Sequence, residues 1–180
     1  LGYQTPYDND MLHTVAYVSF QELATRISHR NTGKISNDPI AEALLQRVSL
    51  DENLHMIFYR NLLGKAIDLE PNAAMRAITD VVTNFAMPGV GMPGFGRKAV
   101  QIALAGIYDM KQHLDDVVAP VLRAWNIFER EDLSGDGAAA REELNVFLAK
   151  AGEDASRFIE KRDAHFDKLV ARGQEPIRLR

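Results

Sequence analysis

The chain has 180 residues, 46% of them hydrophobic, no cysteine and a formal net charge of −4. That length holds one domain with a buried core. The lack of Cys excludes a disulfide framework or thiolate metal site and fits a reducing cytoplasm, while the acidic balance argues against general nucleic-acid binding.

The longest apolar runs break at charges well before the ~20 residues of a membrane span, and no basic-then-apolar signal peptide opens the chain. Leu1 stands where a start Met would, so the natural N-terminus is expected upstream. Tyr3 to Asn9 reads as a polar lead-in. From about Met11 to Asn31, Leu12, Val15, Ala16, Leu23, Ala24 and Ile27 recur at helical spacing, with Gly33 as the stop. Asp38-Pro39 is an N-cap followed by Pro at the first helical position, opening a helix to about Ile67. Pro71 starts a third helix that ends near Phe85. Met87-Pro88-Gly89-Val90-Gly91-Met92-Pro93-Gly94 is a loop with Gly hinges. Helices are then expected over Arg97 to Tyr108 and Lys111 to Trp125, Pro120 marking a kink or boundary. After Ser134-Gly135-Asp136-Gly137 a last helix runs from about Ala138 to Arg172, charge-rich after Ala149. Strand signals are nearly absent, so the class is all-α and residues 1–180 form one domain, with 138–180 its long C-terminal helix and tail.

Two of these helices carry chemistry. Glu22 lies on the first, inside Ser19-Phe20-Gln21-Glu22, and Glu52-Asn53-Leu54-His55 lies on the second. Helical spacing puts Glu52 and His55 on one face, one turn apart. A helix with Glu beside a helix with Glu-x-x-His is half of the ligand set of a carboxylate-bridged di-iron bundle. Iron(II) takes carboxylate and imidazole ligands with open positions, and a metal removes the cost of burying carboxylates among apolar neighbours such as Phe20, Leu23 and Ile57. The plain alternative pairs Glu22 with Arg26 and Glu52 with Tyr59 or a solvent-side Arg, since Glu-x-x-His also arises by accident.

Other signals weigh less. Asp132, Ser134, Asp136, Gly137 and Glu143 follow a calcium-loop pattern, but a turn capping the last helix is favoured. His113 and Asp116 share a helical face that reads as solvated, and His13 and His165 have no persuasive acidic partner. Phe85, Phe95, Trp125 and the methionines read as core. Gly89-x-Gly91 lacks the preceding strand of a phosphate loop.

The stretch Tyr17-Val18-Ser19-Phe20-Gln21-Glu22-Leu23-Ala24-Thr25-Arg26-Ile27-Ser28-His29-Arg30-Asn31-Thr32 resembles the signature helix of the soluble acyl-[acyl-carrier-protein] desaturases, plant stearoyl type and bacterial branch. Asp51-Glu52-Asn53-Leu54-His55 is similar to that family's second Asp-Glu-x-x-His, and the likeness continues through Met87-Pro88, Trp125 and the turn before the last helix. The resemblance implies a ferritin-like di-iron helical bundle with Glu22, Glu52 and His55 as iron ligands. It implies that Thr25 is a hydroxyl beside the oxygen site and that Asp51 orients a ligand imidazole. The acyl tunnel is expected along the apolar faces of the first two helices, near Thr14, Tyr17, Gln21 and Thr25.

The implied activity is O₂-dependent insertion of a double bond into a saturated acyl chain by two Fe²⁺. The acyl carrier protein would present the chain, a ferredoxin-type donor would supply electrons, and the protein would be a cytoplasmic homodimer. The family's other Glu and other Glu-x-x-His are not in these residues; Glu42 and His29 are the nearest spare candidates. Either this is the C-terminal part of a longer desaturase, the favoured explanation, or two copies each give three ligands. Alone, the chain is expected to be inactive. Another ferritin-like di-iron protein, oxidase or iron store, and a metal-free scaffold are the other readings.

Overall fold

The computed structural model describes residues 10–179; the lead-in expected over residues 3–9 lies outside them. Helix α1 (Met11–Ile35) begins where the extended Asp10 accepts hydrogen bonds from the Leu12 and His13 amides. It does not stop at Gly33. That glycine is buried within the helix, where a Cβ would lie 3.2 Å from Leu45 Cβ and 3.3 Å from Glu42 Cα. Its smallness serves the close approach of the next helix, and the left-handed residue after the helix is Asn37, at φ 52°. Helix α2 (Pro39–Leu69) opens as its sequence predicts, Asp38 capping the Ile40 and Ala41 amides. The short turn makes α1 and α2 an antiparallel hairpin. Glu70 alone separates α2 from α3 (Pro71–Thr83), because Pro71 has no amide to continue the helix.

Gly94, at φ 76°, leads into α4 (Phe95–Leu104), which is shorter than its periodicity suggests because Gly106 reverses the chain at φ 72°. Asp109 and Gln112 then form a reciprocal cap. Helix α5 (Met110–Gln112) passes directly into a π segment (His113–Val118) and α6 (Ala119–Ala124). The kink expected at Pro120 is thus a widened turn, in which the Ala119 amide reaches back to the Leu114 carbonyl and the proline ring finds room. A short 3₁₀ turn (Ile127–Glu129) leads to α7 (Gly135–Ala171).

Phe20 of α1, Leu63 and Ile67 of α2, Ile78 of α3, Leu122 of α6 and Leu144 of α7 are fully buried together; truncating a side chain such as Phe20 to Ala costs roughly 3–5 kcal/mol. Trp125 sets its ring edge-on to Phe20 at 5.6 Å and donates Nε1–H to the Arg60 carbonyl at 2.8 Å, which fixes α6 against both α1 and α2. Where α3 meets α7, a Cβ on Gly137 would lie 2.7 Å from Asn72 Cα, so only glycine permits that contact. The described residues form an all-α bundle without a strand, consistent with the ferritin-like architecture, and no helix among them is long and apolar enough to cross a membrane. One surface is unfinished: Ile40, Leu44, Leu50, Leu54, Phe58 and Leu62, mostly spaced by four along α2, are exposed, Leu54 by 64% and Phe58 by 62%.

Candidate metal centre

The hairpin brings Glu22 of α1 opposite Glu52 and His55 of α2. His55 Nδ1 lies 3.3 Å from Glu22 Oε2 and 3.5 Å from Glu52 Oε2, and one ligand atom from each residue falls within 4.8 Å of the others. Among the described residues this is the one group of three or more acids and histidines so arranged. Both carboxylates are largely covered, at 15% and 18% side-chain exposure, whereas His55 is open at 57%. Burial first, and then the facing Glu52, pushes the Glu22 carboxyl up to about 7; His55 opposes this. Neither acid has an Arg or Lys within ion-pair distance among the described residues. The alternative pairing of Glu22 with Arg26 is therefore not formed, and Arg26 is exposed.

Two covered carboxylates and an imidazole on rigid helices, with no Arg or Lys paired to them among the described residues, suit a hard divalent metal in donor type and charge. Three side chains leave its other positions open, so the donor set fits half of a carboxylate-bridged pair. His29, spare in the sequence, joins the group: its Nε2 is 3.5 Å from Glu52 Oε1. Glu42, the other spare, is taken by Arg30 at 3.4 Å.

The remaining expected residues lie less centrally. The Thr25 hydroxyl donates to the Gln21 carbonyl at 3.1 Å and the Glu22 carbonyl at 2.9 Å, the ordinary bonding of a mid-helix threonine. Asp51 is half exposed and pairs with Arg47 at 3.3 Å, one turn back on α2, away from any described imidazole. Thr14 is exposed, its hydroxyl donating to the Asp10 carbonyl. Tyr17 is buried, donates to the Ala86 carbonyl at 3.0 Å and stacks on Phe85 at 5.6 Å. Gln21 is half buried beside Glu22.

The calcium-loop pattern does not close on itself. Asp136 and Glu143 are bound by Arg76, and Asp132 by Arg130; the segment is the turn that leads into α7, whose N-cap Ser134 makes no side-chain capping bond. His113 corrects a reading: instead of a solvated face, it is buried, stacked on Phe85 at 4.5 Å and joined to the Tyr108 hydroxyl at 2.8 Å. His13 has acidic neighbours after all, Asp10 and Asp80, each at 3.1 Å. Trp125, Met56 and Met75 are core as expected and Phe85 and Met87 pack against that core, while Phe85, Met87 and Phe95 also line an open apolar pocket.

The family model described as fatty acid desaturase matches residues 1–170. The chain is 48% identical over 169 residues, 94% of its length and 50% of the relative's, to a Mycobacterium tuberculosis protein carrying the name acyl-[acyl-carrier-protein] desaturase DesA1. It is 30% identical over 175 residues to acyl-[acyl-carrier-protein] desaturase 4 of rice, covering 89% of this chain and 41% of that one. It is 26% identical over 163 residues to stearoyl-[acyl-carrier-protein] 9-desaturase 6 of Arabidopsis thaliana, covering 85% and 40%. The chain thus spans half or less of the length of these relatives. With the paired acids and imidazole between α1 and α2, the match shows that the chain belongs to the fatty acid desaturase family.

Proposed function

We propose that the complete protein is an acyl-[acyl-carrier-protein] desaturase and that this chain supplies Glu22, Glu52 and His55 to a pair of Fe²⁺. The observation that carries this reading is the convergence of the three side chains within 4.8 Å, with two covered carboxylates that no Arg or Lys among the described residues neutralises. When bound, the iron pair would supply the electrons and open positions that O₂-dependent removal of two hydrogens from an acyl chain requires. The other ligands come from protein outside this chain, or from a second copy, and the exposed apolar row on α2 supports a covering partner on that side.

Each residue then has a physical task. Glu22 and Glu52 bring negative charge to a covered site, and Glu22 holds its proton near neutral pH until a cation displaces it. His55 adds a neutral nitrogen donor. His29 steadies the far oxygen of Glu52. Thr25, one turn past Glu22, is assigned a place beside the oxygen site, and Asp51 a place behind an imidazole from outside this chain. Thr14, Tyr17 and Gln21 are assigned to the side of the acyl tunnel that α1 forms. The relatives' names support an acyl carrier protein as the carrier of the substrate, and a ferredoxin-type donor is proposed for the electrons.

The test is iron content and product analysis on the complete protein with stearoyl-acyl carrier protein. Stoichiometric iron and an unsaturated product, both lost in His55→Ala, are expected. Iron uptake with no unsaturated product would favour the oxidase or storage reading, and a folded, iron-free protein the scaffold.

A further inference from the structure

Helix α7 ends in a defined reversal. Gly173, at φ 73°, donates to the Val170 carbonyl at 2.9 Å, and Gln174 donates to the Leu169 carbonyl at 3.0 Å, the paired bonds of a Schellman cap. The chain then returns along α7, where the Arg178 guanidinium lies over the Phe166 ring, 5.3 Å from its centre. One residue on, the Leu179 amide donates to the Ala105 carbonyl at 2.8 Å. A Cβ on Gly106 would lie 3.5 Å from Leu179 Cβ, in van der Waals contact. Residues 174–179 thus bridge α7 to the turn that closes α4.

That turn separates a firmly held stretch from a loosely held one. Beyond it, Arg162 of α7 grips the buried Asp109 at 2.9 Å, and Asn31 of α1 donates to the Ile107 carbonyl at 2.9 Å. Before it, no residue of α4 is buried, and Val100 and Ile102 are exposed. Helix α4 hangs between Gly94 at φ 76° and Gly106 at φ 72°, two positions where glycine turns without strain. Among the described residues, the Leu179–Ala105 bond is the only hydrogen bond that ties residues 95–105 to a distant part of the chain. An element with so little buried surface opens at low cost, and what holds its end decides where it stands. Phe95, Ala99, Val100 and Ala103 of α4 form one wall of the open apolar pocket, shared with Val82 of α3 and Phe147 of α7.

We propose that residues 174–179 are a strap that latches α4. With Leu179 bonded to Ala105, α4 stands fixed beside the bundle; on release it swings about Gly94 and Gly106 and widens the pocket it walls. The device is independent of the desaturase reading, since neither the strap nor α4 carries a proposed metal ligand.

Thiol labelling tests it, because the chain has no cysteine of its own. Val82→Cys places a near-isosteric thiol on the pocket wall, and Val81→Cys places one in the core on the same turn of α3, outside the pocket. Each is introduced into the full chain, into a chain lacking residues 174–180, and into a Leu179→Pro chain, whose proline has no amide to give Ala105. Reaction with 5,5′-dithiobis(2-nitrobenzoate) is followed in all six. Removing the strap should speed labelling of Val82→Cys at least about tenfold, and Leu179→Pro about fivefold, the worth of one hydrogen bond. The Val81→Cys rate should stay the same in the Leu179→Pro chain, which decides the matter if the deletion loosens the whole bundle. An unchanged Val82→Cys rate in the Leu179→Pro chain, or an equal rise there at Val81→Cys, would overturn the proposal.

Discussion

Where α3 meets α7, Arg76 gathers Glu143 at 2.7 Å, Asp136 at 2.9 Å and Asp80 at 3.5 Å; where α1 meets α2, Glu22 and Glu52 face each other with imidazoles, but no guanidinium or ammonium, in reach among the described residues. Arg76 holds the Asp136 carboxyl below the usual carboxylate range, whereas the Glu22 carboxyl is driven up. Both groups consist of acids lent by two packed helices. The first is neutralised inside the chain and joins α3 to α7; the second keeps an electrostatic debt that an external cation would cancel. Proximity of carboxylates is thus a poor guide to a metal site, and the absence of a basic side chain from the group is the better one. His113 shows a third solution, a titratable ring buried by staying uncharged.

The largest effect expected is on iron. In the complete protein Glu52→Ala should remove essentially all bound iron, while Glu143→Ala, a change in the Arg76 group, should leave the iron content as it was. Elemental analysis of the two purified variants makes the comparison, and equal iron in both would break it.

The next effect is on acid stability. The folded-state pKa of His113 is depressed, from 6.5 to about 4, so the folded form binds fewer protons than the unfolded form between those values. Its contribution is fully present above pH 6.5 and is lost as pH falls towards 4, by about 3 kcal/mol in total. Urea unfolding at pH 7 and pH 4.5 should show this loss, and His113→Phe should remove that part of the pH dependence. A variant as acid-sensitive as the parent chain would mean that the ring is not buried in its neutral form.

How much of this could be read beforehand differs between the two helix contacts. Asp10, Asp38 and Pro71 mark helix starts by local chemistry that needs no tertiary context, and Glu-x-x-His displays its geometry within one turn. What periodicity could not supply was which face receives cover. His113 and Asp116 have the spacing of a solvated face, yet Phe85, 28 residues earlier, stacks over the histidine. Gly33 has the composition of a helix stop, but Glu42 and Leu45 need its missing side chain for their approach. Asp136 and Glu143 match a calcium loop locally, and only the arrival of Arg76 from α3 decides against it. In each case the deciding residue lies on another element.

A smaller effect should follow from Arg76→Ala, which leaves three acids facing one another at a partly exposed contact. The expected loss is about 1–2 kcal/mol, or roughly 4 °C in Tm, with no change in iron content; a differential scanning calorimetry trace checks it, and an unchanged Tm would show that the acids disperse without strain. The smallest structural effect belongs to Thr25→Val. Its hydroxyl bonds only to the carbonyls of Gln21 and Glu22 among the described residues, so stability should change by less than about 1 kcal/mol and iron loading should persist. Desaturation per O₂ consumed should nevertheless fall if the hydroxyl works beside the oxygen site, and unchanged coupling would remove Thr25 from the site.

The central claim, that Glu22, Glu52 and His55 are one side of an iron pair, is tested most directly by anomalous diffraction at the iron edge from crystals of the complete protein. Two adjacent peaks are expected at metal-ligand distance from a Glu22 oxygen, a Glu52 oxygen and a His55 nitrogen. Peaks elsewhere, or Glu22 and Glu52 neutralised by an Arg or Lys from protein outside this chain, would contradict it.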